Sequence, residues 1–206
     1  MAKRTLKWLI GIDEAGRGPL AGPVSVGVAL VAQDFNWSLI PGVNDSKKLS
    51  EKKREEIFTL AQKFKKEGKL DYAVVMVSAS VIDKIGIVPA VTKAMSQALT
   101  KIQRPDLCME ECLVKLDGSL KAPAEYVYQE TIIGGDGKEK VIGLASIMAK
   151  VTRDRYMVKI AQKEAYQGYN FDIHKGYGTK KHCEAIVLYG LSDIHRMSFC
   201  TKLMKV

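Results

Sequence analysis

A short apolar run, Trp8, Leu9, Ile10 and Ile12, ends in two adjacent acids, Asp13 and Glu14. The chain then turns through Gly16, Arg17, Gly18 and Pro19 and becomes apolar again at Val24. This stretch, DEAGRGPLAGPV at 13–24, constrains the fold more than any other, because a strand must deliver two carboxylates into a glycine turn. Successive side chains on a strand point to opposite faces, so Asp13 and Glu14 can address one ion only if regular pairing stops between them. Gly16 and Gly18 are expected to make that break, since glycine accepts positive φ and lets another backbone or a phosphate come close. Arg17 between them offers a planar fork of donors suited to phosphate. The same residues also suit an ordinary solvated strand end. Dinucleotide binding is disfavoured: Pro19 and Pro23 fall where a Gly-rich fingerprint needs helix backbone, and its third glycine is missing.

The rest of the chain alternates strand and helix patterns. Val24, Val26, Val28 and Leu30 alternate with Ser25, Gly27 and Ala29, a period-two strand whose small face can admit a tightly packed neighbour. After a loop at 34–43, NDSKKLS at 44–50 leads to an N-cap at Ser50, and Ile57, Leu60, Ala61 and Phe64 repeat at helical spacing up to Gly68. Leu70–Val77 reads as a third strand. Helical stretches follow from Ser80 and around Val91–Leu99, closed by Arg104 and Pro105. Leu113, Val114 and Leu116 form a short run ending at Asp117, Gly118 and Ser119, and Tyr126–Ile133 a further strand ending at Gly134, Gly135, Asp136 and Gly137. A long helix begins near Ile142 and continues through Asp154 to Ile160, and Thr179 caps a short helix ending near Gly190. No internal repeat or linker is evident. Strands mixed with helices imply an α/β fold, and the 24–77 segment favours a mixed sheet over a purely parallel one.

The chain has 206 residues, enough for one well-buried core and short for two. Lys and Arg number 32 against 23 Asp and Glu, leaving a net charge of +9. A basic surface around clustered acids suits a nucleic-acid enzyme, with Lys and Arg holding phosphates and carboxylates holding cations. No stretch approaches the about 18–20 apolar residues of a membrane span, and the acid pair interrupts the N-terminal segment before a signal-peptide core forms. An intracellular, cytoplasmic protein is expected, with Cys108, Cys112, Cys183 and Cys200 as free thiols.

Asp13, Glu14, Asp117 and Asp136 each follow an apolar run and meet a glycine turn. Without neighbouring Cys or His they favour hard cations, Mg²⁺ or Mn²⁺. Such a cluster suits phosphodiester cleavage by two ions about 4 Å apart, one activating water and the other stabilising the leaving oxygen. Lys47 and Lys48 can contact phosphates near the helix that starts at Ser50, or form an ordinary basic loop. His174, His182 and His195 are expected to be hydrogen-bonded structural groups. Arg196 suits either a substrate contact or an anchor for the C-terminal segment.

DEAGRGP, NDSKKLS, LDG, the GD turn followed by ASIMAKVTRD, HKGYGT and HRMSF, in that order, resemble bacterial ribonuclease HII (type 2 ribonuclease H) over almost the whole chain. The resemblance implies a ribonuclease H-like mixed central sheet flanked by helices, a single catalytic domain over 1–206 with a helical, substrate-contacting extension at about 166–206. It further implies a monomeric endonuclease that cuts the RNA strand of RNA/DNA hybrids, nicks duplex DNA 5′ of embedded ribonucleotides to leave a 5′-phosphate, and serves ribonucleotide removal. Asp13, Glu14, Asp117 and Asp136 would be the catalytic, metal-binding acids. Gly16, Arg17 and Gly18 would read the ribose 2′-OH through their backbone, Tyr177 would stack on the adjoining sugar, and Ser46 and Lys47 would contact nucleic acid. The family has KGDS or KGDA before its fourth acid, where this chain has GGDG. Asp154 of KVTRD therefore competes with Asp136, although a helix-surface pairing with Arg153, Arg155 or a nearby lysine explains it more simply. Ribonuclease HIII and a junction resolvase are the related alternatives, and a binding protein without turnover is the third.

Overall fold

In the computed structural model, residues 5–102, 104, 106–118 and 120–203 are described; Pro105 and Ser119, singled out above, lie outside them. Five strands form one sheet in the order β3-β2-β1-β4-β5: β1 Trp8–Ala15, β2 Val24–Ala32, β3 Leu70–Val77, β4 Cys112–Asp117 and β5 Tyr128–Ile132. The sheet is mixed. The β1-β2 and β2-β3 pairs are antiparallel, and the β1-β4 and β4-β5 pairs are parallel. The helices are α1 Glu51–Lys66, α2 Ala79–Ile85, α3 Ile87–Lys101, α4 Lys140–Ala161, α5 Phe171–His174, α6 Lys180–Tyr189 and α7 Met197–Cys200. Ser50 and Thr179 cap α1 and α6 as their positions suggest, each accepting a backbone N–H three residues on.

Strand alternation sends the two sets of side chains into two cores. Ile10, Ile12, Val24, Val26, Val28, Val114 and Leu116 pack with Ala94, Met95 and Ala98 of α3 on one face. On the other, Val31, Leu70, Ile57 and Phe64 pack with Ile142, Leu144 and Ile147 of α4. The small face of β2 does admit a close neighbour: a Cβ on Gly27 would lie 2.2 Å from the Ala145 carbonyl oxygen, and one on Gly11 as near to that of Val141. The α4 backbone therefore rests directly on the sheet. The helix is buried on nearly every side, with Leu144, Ile147, Ala149, Val151, Arg153 and Met157 all covered.

One expectation fails. Pairing does not stop between Asp13 and Glu14 on the β2 side, where the ladder runs on through Asp13↔Gly27, Glu14↔Val26 and Ala15↔Ser25. It stops on the β4 side, at Ile12↔Leu116. The antiparallel ladder to β2 holds both acids in regular strand geometry, so they occupy opposite faces and the turn begins only after Ala15. The strand expected at Tyr126–Ile133 is shorter at both ends, Tyr128–Ile132, and is an edge strand largely open to solvent.

Candidate active site

The parallel pairing of β1 with β4 brings two acids together from opposite halves of the sequence. Asp13 and Asp117 are the residues that follow the last paired positions, Ile12 and Leu116, and both lie on the face covered by α4. They stand at the carboxyl ends of adjacent parallel strands, the edge at which open α/β sheets place their ligands. Asp13 is buried, and its carboxyl is pushed up to about 8, first by burial and then by the charges of Glu14 and Asp117, with the Ser146 hydroxyl pulling the other way. Asp117 Oδ1 accepts the Gly135 N–H at 2.7 Å, which draws the 3-10 turn Gly135–Gly137 onto the end of β4. Asp136 in that turn is buried, and among the described residues its Oδ2 has no hydrogen-bond partner. Burial raises its pKa, and the nearby Asp45 and Asp117 add to the rise. Glu14 lies on the opposite face, with Arg17 Nη1 3.1 Å from its Oε1.

Lys47 is the cation that faces this group. Its Nζ is 3.8 Å from Asp136 Oδ2. Burial pulls its pKa down, but the charges of Asp136, Asp13, Asp45 and Asp117 outweigh that and hold it above the ordinary lysine value. Among the described residues no three His, Cys, Asp or Glu side chains already close around a single ion position. The donors are carboxylate oxygens, one of them buried with an unused lone pair, and this set fits a hard divalent cation.

The remaining expected residues fall around this edge. Gly16 is buried with φ +83°, and Gly18 is exposed. Tyr177 is 41% exposed, with Lys150 Nζ and Arg153 Cζ each 5.7 Å from its ring centroid. Ser46 is buried beneath the acids, its hydroxyl 2.8 Å from that of Ser146, while Lys47 is exposed beside it. Asp154 forms an i,i+4 pair with Lys150 at 2.8 Å, the lysine pairing expected of it, although it is buried rather than on the helix surface.

Three residues close to the site were missed in reading the sequence. Asp45, within a motif read for its lysines, accepts the Lys47 N–H at 2.9 Å and lies beside Asp136. Ser146, in a small-residue stretch of α4, reaches Asp13. Arg153 sits under the glycine turn. Only Asp45 carried a signal, an acid two residues before a candidate phosphate-binding lysine.

The three histidines are structural, as expected, and they support Tyr177. His182 Nδ1–H donates to the Tyr177 carbonyl (2.9 Å), His195 Nε2–H donates to His182 Nε2 (3.0 Å), and the Ser192 N–H donates to His195 Nδ1 (2.9 Å). His174 stacks on His182, takes the Gly176 N–H at Nδ1 and donates from Nε2 to the Tyr169 carbonyl. This pattern gives every ring one donor and one acceptor, so each is satisfied as neutral imidazole. Burial lowers all three pKa values, those of His182 and His195 to about 4. A depressed folded pKa means that stability is full above the unfolded value near 6.5 and is lost as pH falls from there through about 4. Ring NMR shifts of His182 and His195 are therefore expected to stay neutral well below pH 6; titration near 6.5 would refute the buried network.

Known proteins share the sequence pattern and the fold. The family model for ribonuclease HII matches residues 10–202. A ribonuclease HII of Endomicrobium trichonymphae is 49% identical over 92% of this chain and 83% of its own length. One of Caldicellulosiruptor bescii is 44% identical over 97% and 90%. The crystal structure of the ribonuclease H2 from Pyrococcus horikoshii superposes with a TM-score of 0.67 and 25% identity, over 97% of this chain and all of that one. The chain belongs to the ribonuclease HII family, type 2 ribonucleases H that act as endoribonucleases on RNA/DNA hybrids.

Proposed function

We propose that this protein cuts the RNA strand of RNA/DNA hybrids and nicks duplex DNA on the 5′ side of an embedded ribonucleotide, using two divalent ions, Mg²⁺ or Mn²⁺. The observation that carries this reading is the adjacency of Asp13 and Asp117 at parallel strand ends, with the buried Asp136 beside them and the glycine turn continuing from the same strand. Asp13, Asp117 and Asp136 would hold the ions from the face covered by α4, and Glu14, on the other face of β1, would reach only an ion that stands beyond the edge of the sheet. When bound, the ions supply activation of the attacking water and stabilisation of the leaving 3′-oxygen, so that the products carry a 3′-hydroxyl and a 5′-phosphate.

The chain's own residues then select and place the strand. Arg17 and Gly18 offer backbone N–H groups to the 2′-OH, the feature that separates RNA from DNA at one nucleotide. The exposed ring of Tyr177 offers a stacking face for the adjoining sugar. Lys47 lies where it can meet a phosphate brought to the acids, and the net charge of +9 attracts the duplex at long range. The same reading assigns the enzyme to ribonucleotide removal from DNA.

The test is cleavage of duplex DNA carrying one ribonucleotide, with Mg²⁺, with Mn²⁺ and with chelator, beside an all-DNA duplex. A metal-dependent nick 5′ to the ribonucleotide, absent from the all-DNA duplex, is expected. Binding without cleavage under either metal would sink the catalytic reading, and cleavage of the all-DNA duplex would sink the assignment of substrate.

A further inference from the structure

The turn after Glu14 is held from inside by two arginines. Arg196 is fully buried and donates from Nε to the Gly22 carbonyl (3.0 Å), from Nη1 to that of Arg17 (2.9 Å) and from Nη2 to that of Gly16 (2.7 Å). Arg153, equally buried, donates from Nε to the Pro23 carbonyl (2.8 Å) and from Nη2 to that of Ala21 (3.1 Å). All five acceptors are main-chain carbonyls, with no carboxylate among them. Among the described residues Arg153 Nη1 has no hydrogen-bond partner. Buried guanidinium groups that meet carbonyls in place of a paired carboxylate are costly to hold: Arg196 is brought down to about 10, first by burial and then by Arg153, with the more distant Asp83 pulling the other way, and burial lowers Arg153 against a weaker pull from Tyr177 and Asp154.

The arrangement sets the direction of the turn. In a trans peptide the C=O and the following N–H point opposite ways. The inward carbonyls of Gly16 and Arg17 therefore turn the N–H groups of Arg17 and Gly18 outward, and among the described residues neither N–H finds an acceptor. Arg153 also ties the turn to Tyr177. A Cβ on Gly16 would stand 2.0 Å from its Nε, and its Cζ lies 5.7 Å from the tyrosine ring centroid. Lysine, a point charge, cannot span several carbonyls with fixed geometry.

We propose that Arg153 and Arg196 are positioning residues for ribose recognition: by clamping the carbonyls of Gly16, Arg17, Ala21, Gly22 and Pro23 they aim the Arg17 and Gly18 N–H groups and hold Tyr177 in register with them. This rests on the reading of the glycine turn as the 2′-OH contact. The test is single-turnover cleavage of the one-ribonucleotide duplex by Arg153→Lys and Arg196→Lys, with enzyme in excess, together with affinity for an all-DNA duplex. The plateau rate constant belongs to folded molecules alone, so partial unfolding does not alter it, and the two variants report independently. The rate constant is expected to fall about tenfold or more, as lost or misdirected hydrogen bonds require, while all-DNA affinity stays within about twofold. A wild-type rate constant in both variants overturns the clamp. Failure of the wild-type protein to cut this duplex would instead overturn the functional reading beneath it.

Discussion

Asp13→Asn is expected to lower cleavage by about three orders of magnitude or more and, without divalent ions, to raise the melting temperature at pH 8 to 9. The first effect follows from removing a charge that would hold the ions, whose electrostatic contribution of several kcal/mol converts at about 1.4 kcal/mol per factor of ten. The second follows from burial. The Asp13 carboxyl has its folded pKa raised to about 8, against an unfolded value near 3.9. The native state thus binds the proton more tightly, so the group favours folding below about pH 4 and that contribution is lost as pH rises through about 8. Above this window the wild-type protein carries a buried anion beside Glu14 and Asp117. An amide of the same shape removes the anion and still accepts the Glu14 N–H, which lies 2.7 Å from Asp13 Oδ1. A gain of a few kcal/mol, or roughly 5 °C, is expected for a chain of this size. Mg²⁺ should stabilise the wild-type protein by mass action and the variant far less. Calorimetry from pH 4 to 9, with and without Mg²⁺, checks this; identical curves for the two proteins would remove Asp13 from the site.

The opposed effects of Asp13 on activity and stability also show which parts of the molecule could be read from the sequence. Local signals were legible: the alternation at Val24–Leu30, the caps at Ser50 and Thr179, and the Leu70–Val77 strand all depend on near neighbours. The approach of Asp117 to Asp13 depends on parallel pairing across about a hundred residues, which no local pattern encodes; only the repeated grammar of strand, acid and glycine hinted at it. Helix α4 is covered on nearly all sides, so it shows no stripe to say which residues face the site, and Ser146 was lost among its small residues. Arginine is read by default as a surface residue. The burial of Arg153 and Arg196 became visible only once the carbonyls of 16–23 were seen turned inward.

The two glycines of that turn separate fold from recognition, and their alanine variants are expected to fail in opposite ways. Gly16→Ala places a side chain at φ +83° and drives its Cβ to 2.0 Å from Arg153 Nε and 2.4 Å from its Cδ. The guanidinium cannot give way without releasing Pro23 and Ala21, so strain and overpacking add. A loss of about 3–5 kcal/mol, or roughly 10 °C in melting temperature, is expected. Gly18 differs in every respect: it is exposed, its φ lies outside the strained band, and an added Cβ would meet none of the described residues within 4 Å. Nothing in the fold requires glycine there. Gly18→Ala should leave stability within about 0.5 kcal/mol of wild type, or slightly raise it by restricting the unfolded chain. It should nonetheless slow cleavage of the one-ribonucleotide duplex by about tenfold or more if the glycine turn contacts the 2′-OH as proposed, because a methyl group would then stand in the path of the ribose to the outward N–H groups. Melting curves and single-turnover rates on the same preparations decide the matter. A Gly18→Ala protein that folds and cuts like wild type would show that the substrate approaches this edge from elsewhere, and would return the glycine turn to a purely structural part in the fold.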